Sequence, residues 1–263
     1  MNNRDPERTT QREARIALLI DADNSPAGKI DVILAELAKL GMTNIRRAYG
    51  NWKKNELKGW EAVLHDYAIR PVQQFDYSKG KNATDMVMAI DAMDLLYTDE
   101  PDAFGIVSSD ADFTPLVMHL RAKGATVYGF GAKKTPEPFV NACSRFLFLE
   151  NLGEREEDSG ASSKTPATKK PTAVELRRDA KLVTLLRNAV ENAAGEDGWA
   201  QLGAVGSQIA NQASFDARNH GFKKFGDLLE ATQLFELDRR GTHMYVRDKR
   251  GAVKGPRSPR ADE

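Results

Sequence analysis

The chain has 263 residues, with 38 Lys plus Arg against 38 Asp plus Glu, so its formal charge is zero and bulk charge selects no partner. A hydrophobic content of 41% is that of an ordinary globular chain, long enough for one large domain or two small ones. One cysteine, Cys143, excludes an intrachain disulfide and a multi-cysteine zinc site and suits a reducing cytoplasm. Residues 1–14 read as a disordered leader with no apolar signal core, and no run approaches the roughly 20 apolar residues of a membrane span. The expectation is a cytoplasmic protein with no membrane partner.

In chain order, residues 16–20 form a short continuous apolar run, the mark of a buried strand. Ser25-Pro26 opens a helix carrying Ile30, Ile33, Leu34, Leu37 and Leu40, which Gly41 closes. Strands are predicted over 44–49, 70–75, 104–108, 126–130 and 146–149, and helices over 56–68, 84–97 and 114–123. Strands alternating with helices imply an α/β fold, a parallel sheet with helices on both faces. Between 153 and 171 Ser, Thr, Pro, Lys, Glu and Gly dominate, and a flexible linker is expected. Beyond it, helices near 175–192, 199–212 and 221–232 and two short strands, 235–237 and 244–246, describe a winged helix-turn-helix. The tail from 248 to 263 is basic and expected to be disordered.

Two strands end in the same way. Residues 16–20 run into Asp21-Ala22-Asp23-Asn24, and 103–107 into Ser108-Ser109-Asp110-Ala111-Asp112. The carboxyl ends of parallel strands are where open α/β folds build their sites. With Asp85 at a helix start, Asp21, Asp110 and Asp112 would gather into one acidic pocket. Such carboxylates raise one another's pKa, a cost that oxygen-loving Mg²⁺ or Mn²⁺ relieves while activating water for phosphodiester hydrolysis. Asn24 would orient a carboxylate, a water or a phosphate. Ser108, Ser109 and Thr84 would donate to phosphate oxygens, and Lys79 and Lys81 would hold a nucleic-acid backbone. The bland reading of a single Asp after a strand is a cap or turn former, which fits Asp23 and Asp112. Asp91 and Asp94 read as a solvated helix face, and Cys143 as a small buried residue. No Walker loop or G-x-G-x-x-G is present.

Leu19-Ile20-Asp21-Ala22-Asp23-Asn24, Lys81-Asn82-Ala83-Thr84-Asp85 and Ser108-Ser109-Asp110-Ala111-Asp112-Phe113 resemble, in order, the motifs of the NYN domain, a branch of the PIN-like nuclease superfamily. The resemblance covers about residues 15–152. It implies a Rossmann-like sheet of order 3-2-1-4-5 and metal-dependent ribonuclease activity, with Asp21, Asp85, Asp110 and Asp112 as metal-binding catalytic carboxylates and Asn24 as the motif asparagine. Asp197-Gly198-Trp199, Gly206-Ser207 and the stretch from Phe215 to Leu229 resemble the OST-HTH (LOTUS) domain over about 172–247. That similarity implies a winged helix that binds RNA, including structured guanine-rich RNA, and in some members protein. Lys223, Lys224, Arg239 and Arg240 are its candidate nucleic-acid contacts. Phe222 and Phe225 read more simply as core.

These readings converge on a Mg²⁺- or Mn²⁺-dependent endoribonuclease with a C-terminal RNA-binding module, acting on single-stranded or structured RNA, with a homodimer left open. Two alternatives stand beside it. One is a non-catalytic RNA-binding adaptor. The other is a haloacid-dehalogenase-like phosphatase with Asp21 as covalent phosphoryl acceptor.

Overall fold

The computed structural model describes residues 12–75, 83–153 and 170–252. Lys79, Lys81, most of the expected leader and linker, and the tail beyond 252 lie outside the described residues. Two compact units divide the chain, Met1–Cys143 and Ser144–Glu263.

The first unit alternates strands and helices: β1 (Arg15–Asp21), α1 (Ile30–Leu37), β2 (Met42–Gly50), α2 (Trp60–Asp66), β3 (Arg70–Gln73), α3 (Ala83–Thr98), β4 (Ala103–Val107), α4 (Thr114–Ala122), β5 (Thr126–Gly131) and α5 (Glu137–Ala142). β6 (Arg145–Phe148) follows just after the division. Among the described residues the sheet has six strands in the order β3-β2-β1-β4-β5-β6, which contains the 3-2-1-4-5 order that the resemblance implied. β1 pairs in parallel with both β2 and β4, so the order reverses beside it. That reversal opens a crevice at the carboxyl ends of β1 and β4, where Asp21 and Ser108 stand. Ile16, Leu18, Leu19, Ile20, Phe104 and Ile106 are buried because a parallel sheet is covered on both faces.

Two local expectations change. Residues 56–68 are not one helix: a 3-10 turn over Asn55–Leu57 precedes α2. α5 is present where no element was predicted, a six-residue helix too short to show periodicity. Gly50 ends β2 where a Cβ would lie 2.9 Å from Leu57 Cδ1 and 3.8 Å from Asp23 Cγ, so the chain after β2 can pass close to the acidic edge.

The second unit contains α6 (Ala173–Arg178), α7 (Ala180–Ala193), β7 (Ala200–Gln201), α8 (Leu202–Gln212), α9 (Phe225–Thr232), β8 (Phe235–Arg240) and β9 (His243–Asp248). The single helix predicted over 175–192 is broken at Asp179, whose extended backbone lets its carboxylate accept from Leu182 N and cap α7. β8 and β9 are twice the predicted length and meet across Gly241-Thr242, with Arg240 opposite His243. The outer half of this wing is exposed, so it carries no apolar alternation to read, and Gly241 supplies the positive φ the turn requires. Leu182, Leu186, Val205, Ile209, Phe222, Leu228, Leu229 and Val246 form its core. β9 reaches Asp248 and a 3-10 turn covers Lys249–Ala252, so residues 248–252, expected to be disordered, are structured.

Candidate active site

The acidic edge is assembled from three elements. Asp21 ends β1 and is 0% exposed. Both its oxygens are held by neutral donors. Oδ2 accepts from Ser108 Oγ at 2.8 Å and from Asn24 Nδ2 at 2.9 Å, and Oδ1 from Asn24 N at 3.3 Å. Burial pushes its carboxyl above the ordinary range, these hydrogen bonds oppose the rise, and the charge of Asp23 adds to it. A carboxylate so enclosed is poorly placed to attack phosphorus, which counts against the phosphatase reading.

Asp85, in the first turn of α3, is half-buried. Burial, and then the charges of Asp21, Asp110, Asp112 and Asp23 in that order, push its carboxyl up to about 6. The acids at the ends of β1 and β4 are therefore close enough to Asp85 to act on its charge. Among the described residues, no three His, Cys, Asp or Glu side chains close up into a metal cage. The donor set nevertheless fits a hard divalent cation: five carboxylates with no sulfur or imidazole, whose mutual repulsion a cation would remove.

Asp110 is the cap that the bland reading assigned elsewhere. Its extended backbone starts the turn Ala111–Phe113, and its carboxylate accepts from Asp112 N at 2.9 Å. Asp112 is exposed. Asp23 is tied across the pocket, accepting from Thr84 Oγ1 at 3.1 Å and pairing with Lys54 Nζ at 3.2 Å.

Two assignments to phosphate are corrected. Ser108 is 0% exposed, with its hydroxyl donated to Asp21 and its oxygen accepting from Asp110 N at 3.1 Å, so it orders the two acids and has no surface to offer a phosphate. Thr84 is buried with its hydroxyl on Asp23. Ser109 is half-buried and accepts from Ala132 N at 2.8 Å, which leaves its proton to donate.

Asp91 is also corrected. It is half-buried and receives both Arg47 Nη1 and Tyr49 Oη from β2. Burial and the neighbouring carboxylate drive the Tyr49 phenol far above its usual range, so it stays a neutral donor. This network fastens α3, and with it Asp85, to the strand beside β1. Neither it nor the Lys54–Asp23 contact had a local signal, because the partners lie 42–44 and 31 residues apart. Cys143 is buried, as read, with its thiol pushed up to about 12 by burial.

The second unit supplies the basic surface. Lys223 and Lys224 are exposed at the start of α9. Lys224 and Arg239 line a groove of about 810 Å³ between α9, the start of α8 and the wing. Arg240 is already committed: it pairs with Asp238 at 2.9 Å and Asp197 at 3.4 Å and lies 4.9 Å from the ring centroids of Trp199 and Tyr245. Phe222 is core and Phe225 packs edge-on against Phe215.

Comparison with known proteins finds two domain models along the chain. The NYN domain model matches residues 15–150, and the OST-HTH/LOTUS domain model matches residues 177–247. An uncharacterized protein of Methanocaldococcus jannaschii is 32% identical over 130 residues, 48% of this chain and 51% of that protein. The chain thus spans about half the length of that relative. A crystal structure of a protein of unknown function from Vibrio parahaemolyticus aligns with 15% identity and a TM-score of 0.44 over 53% of this chain and 95% of that one. A solution structure of an uncharacterized protein from Nitrosomonas europaea is 30% identical over 39% of this chain and 99% of that one, with a TM-score of 0.26. Among the described residues no helix is long and apolar enough to cross a membrane.

Proposed function

The chain belongs to the NYN family, and on that premise we propose that it is a divalent-metal-dependent endoribonuclease whose OST-HTH domain binds the RNA it cuts. The observation that carries this reading is the meeting of the ends of β1 and β4 with the start of α3: Ser108 joins Asp21 to Asp110, and Thr84, beside Asp85, reaches Asp23. Crowding of like charges of this kind costs stability and is characteristic of functional sites.

Asp21, Asp85, Asp110 and Asp112 would hold the ion, Mg²⁺ or Mn²⁺, and the bound ion would supply charge neutralisation and an activated water at neutral pH. Asn24 and Ser108 both donate to Oδ2 of Asp21 and fix its carboxylate. Ser108 also receives Asp110 N, so one hydroxyl sets the spacing of two acids. Ser109 retains a donor for a phosphate oxygen. Below about pH 6 Asp85 holds a proton that a cation must displace, so cleavage should fall there. Lys223, Lys224 and Arg239 would supply salt-dependent RNA affinity.

The test is cleavage of labelled RNA and DNA panels, with and without Mg²⁺ or Mn²⁺, by wild type and Asp110→Asn. RNA should be cut only with metal and only by wild type, leaving 5′-phosphate and 3′-hydroxyl ends. A 2′,3′-cyclic phosphate would show attack by the ribose hydroxyl and overturn the water mechanism. A non-catalytic RNA-binding adaptor is the second reading, favoured by the full enclosure of Asp21 and the engagement of Asp110 as a cap. No turnover with Mn²⁺ at enzyme excess would select it.

A further inference from the structure

The carboxyl ends of β2 and β3 hold a strip of side chains that the mechanism above does not use. Phe75 follows β3 and is 45% exposed. Lys53 Nζ lies 4.9 Å from the centroid of its ring. Trp52 is half-buried and anchored, its indole N–H donating to Val72 O at 3.1 Å and its backbone N–H to Gln73 Oε1 at 3.1 Å. Gln73 Nε2 donates to Asn51 Oδ1 and to Gln74 O, both at 3.1 Å, so two amide side chains lie together at the Trp52 backbone. The next residue in the same loop, Lys54, reaches Asp23 in the acidic pocket. One short loop therefore places a lysine on an exposed aromatic and its neighbour on the candidate active site.

A single exposed phenylalanine needs no explanation, and a surface cation–π contact contributes only about 0.5–1 kcal/mol. The combination is different. An exposed ring, an ammonium above it and a pair of amides are the groups with which proteins hold an unpaired base and its phosphate. All of them stand at the sheet edge that carries the acids.

We propose that this strip is a binding site for one unpaired nucleobase of single-stranded RNA, placed next to the phosphodiester presented to the acidic pocket. The base takes the face of Phe75 on which Lys53 now lies, and the ammonium turns to the accompanying phosphate. Asn51 and Gln73 hold the loop that carries Lys53 in place. The inference rests on the ribonuclease reading only for the identity of the polymer.

The experiment measures binding of a short uridine-rich RNA to the full chain carrying Asp110→Asn, in chelator, so that no cleavage is required. Phe75→Ala should weaken binding about fivefold or more, the effect expected of one lost base stack. Phe75→Trp should retain affinity, and its added indole fluorescence should be quenched on binding. With an abasic RNA of the same length, Phe75→Ala and its parent should bind alike. Equal affinity of Phe75→Ala and parent for the base-bearing RNA, an equal loss for both RNAs, or no quenching in Phe75→Trp would each overturn the proposal. If the ribonuclease reading fails instead, wild type will not cleave with metal while the effects of Phe75 on binding persist.

Discussion

Both units bury carboxylates, and Asp85 at the acidic edge of the first is treated in the opposite way from the acids of the second, although Asp91 of the first is paired with Arg47. In the second unit burial raises Asp216, but hydrogen bonds from Arg218 and the charge of Arg145 outweigh it and leave the group below its ordinary range. Asp248 behaves alike between Arg250 and Arg187. In the first unit burial raises Asp85, and what stands around it is more acid, so the rise is reinforced. Paired acids serve the stability of a fold. Acids raised by other acids weaken it, and such an arrangement persists where a ligand compensates it.

The comparison would break most visibly through Asp21→Asn or Asp110→Asn. Cleavage should fall about a hundredfold or more, as when a metal site loses a carboxylate, while far-UV circular dichroism stays native. Wild-type rates for both variants would remove the acidic edge from function.

Next comes Asp216→Asn, which should destabilise the second unit by about 2 kcal/mol, because two arginines lose a charged partner at a buried site. Urea denaturation monitored through tryptophan fluorescence reads this. The stabilisation by Asp216 is present above its unfolded pKa and fades as pH falls through the lower folded one. The variant should therefore lose less stability than wild type on acidification below about pH 4.

Asp85→Asn should move stability the other way. A folded pKa near 6 against an ordinary 3.8 means that the native state binds the extra proton between these values. The ionised group therefore costs stability at neutral pH, and the cost disappears as pH falls toward 4. Solvent screening at a half-buried carboxyl reduces it to about 1 kcal/mol. In chelator at pH 7.5 the variant should melt about 2–4 °C above wild type, and the gap should close by pH 4.5. A constant gap across that range would show that Asp85 is not raised.

The smallest expected effect is that of Lys223→Ala with Lys224→Ala. Two lost phosphate contacts should lower the slope of log affinity against log salt by about 1.4 for single-stranded RNA, measured by fluorescence anisotropy with Asp110→Asn protein. An unchanged slope would leave the OST-HTH unit as a protein-binding module.

Much of this was legible in the chain. The apolar runs at 16–20 and 103–107 ending in D-x-D and S-S-D-x-D place their polar residues at a sheet edge, because a strand buried on both faces has no other place for them. The inward turn of Ser108 has no local signal: whether a hydroxyl points to solvent or to a neighbouring carboxylate depends on the strand beside it, here β1. The pairing of Asp91 is hidden in the same way, because helical spacing says which residues share a face and cannot say that Arg47 and Tyr49 on β2 meet that face. Asp179 interrupts a helix that the apolar repeat carries straight through, since capping is decided by one backbone angle and not by periodicity.

The sequence by itself determined the alternation of strands and helices, the two domains and the identity of the acids, because burial pattern, turn chemistry and motif spacing are local properties. Only the tertiary structure decided what each polar group does. It turned Ser108 inward between Asp21 and Asp110, spent Thr84 and Lys54 on Asp23, stacked Arg240 on Trp199, and set Lys53 over Phe75. A hydrogen bond or ion pair is made with whatever group the fold brings within about 3 Å, and most of those partners lie tens of residues away along the chain.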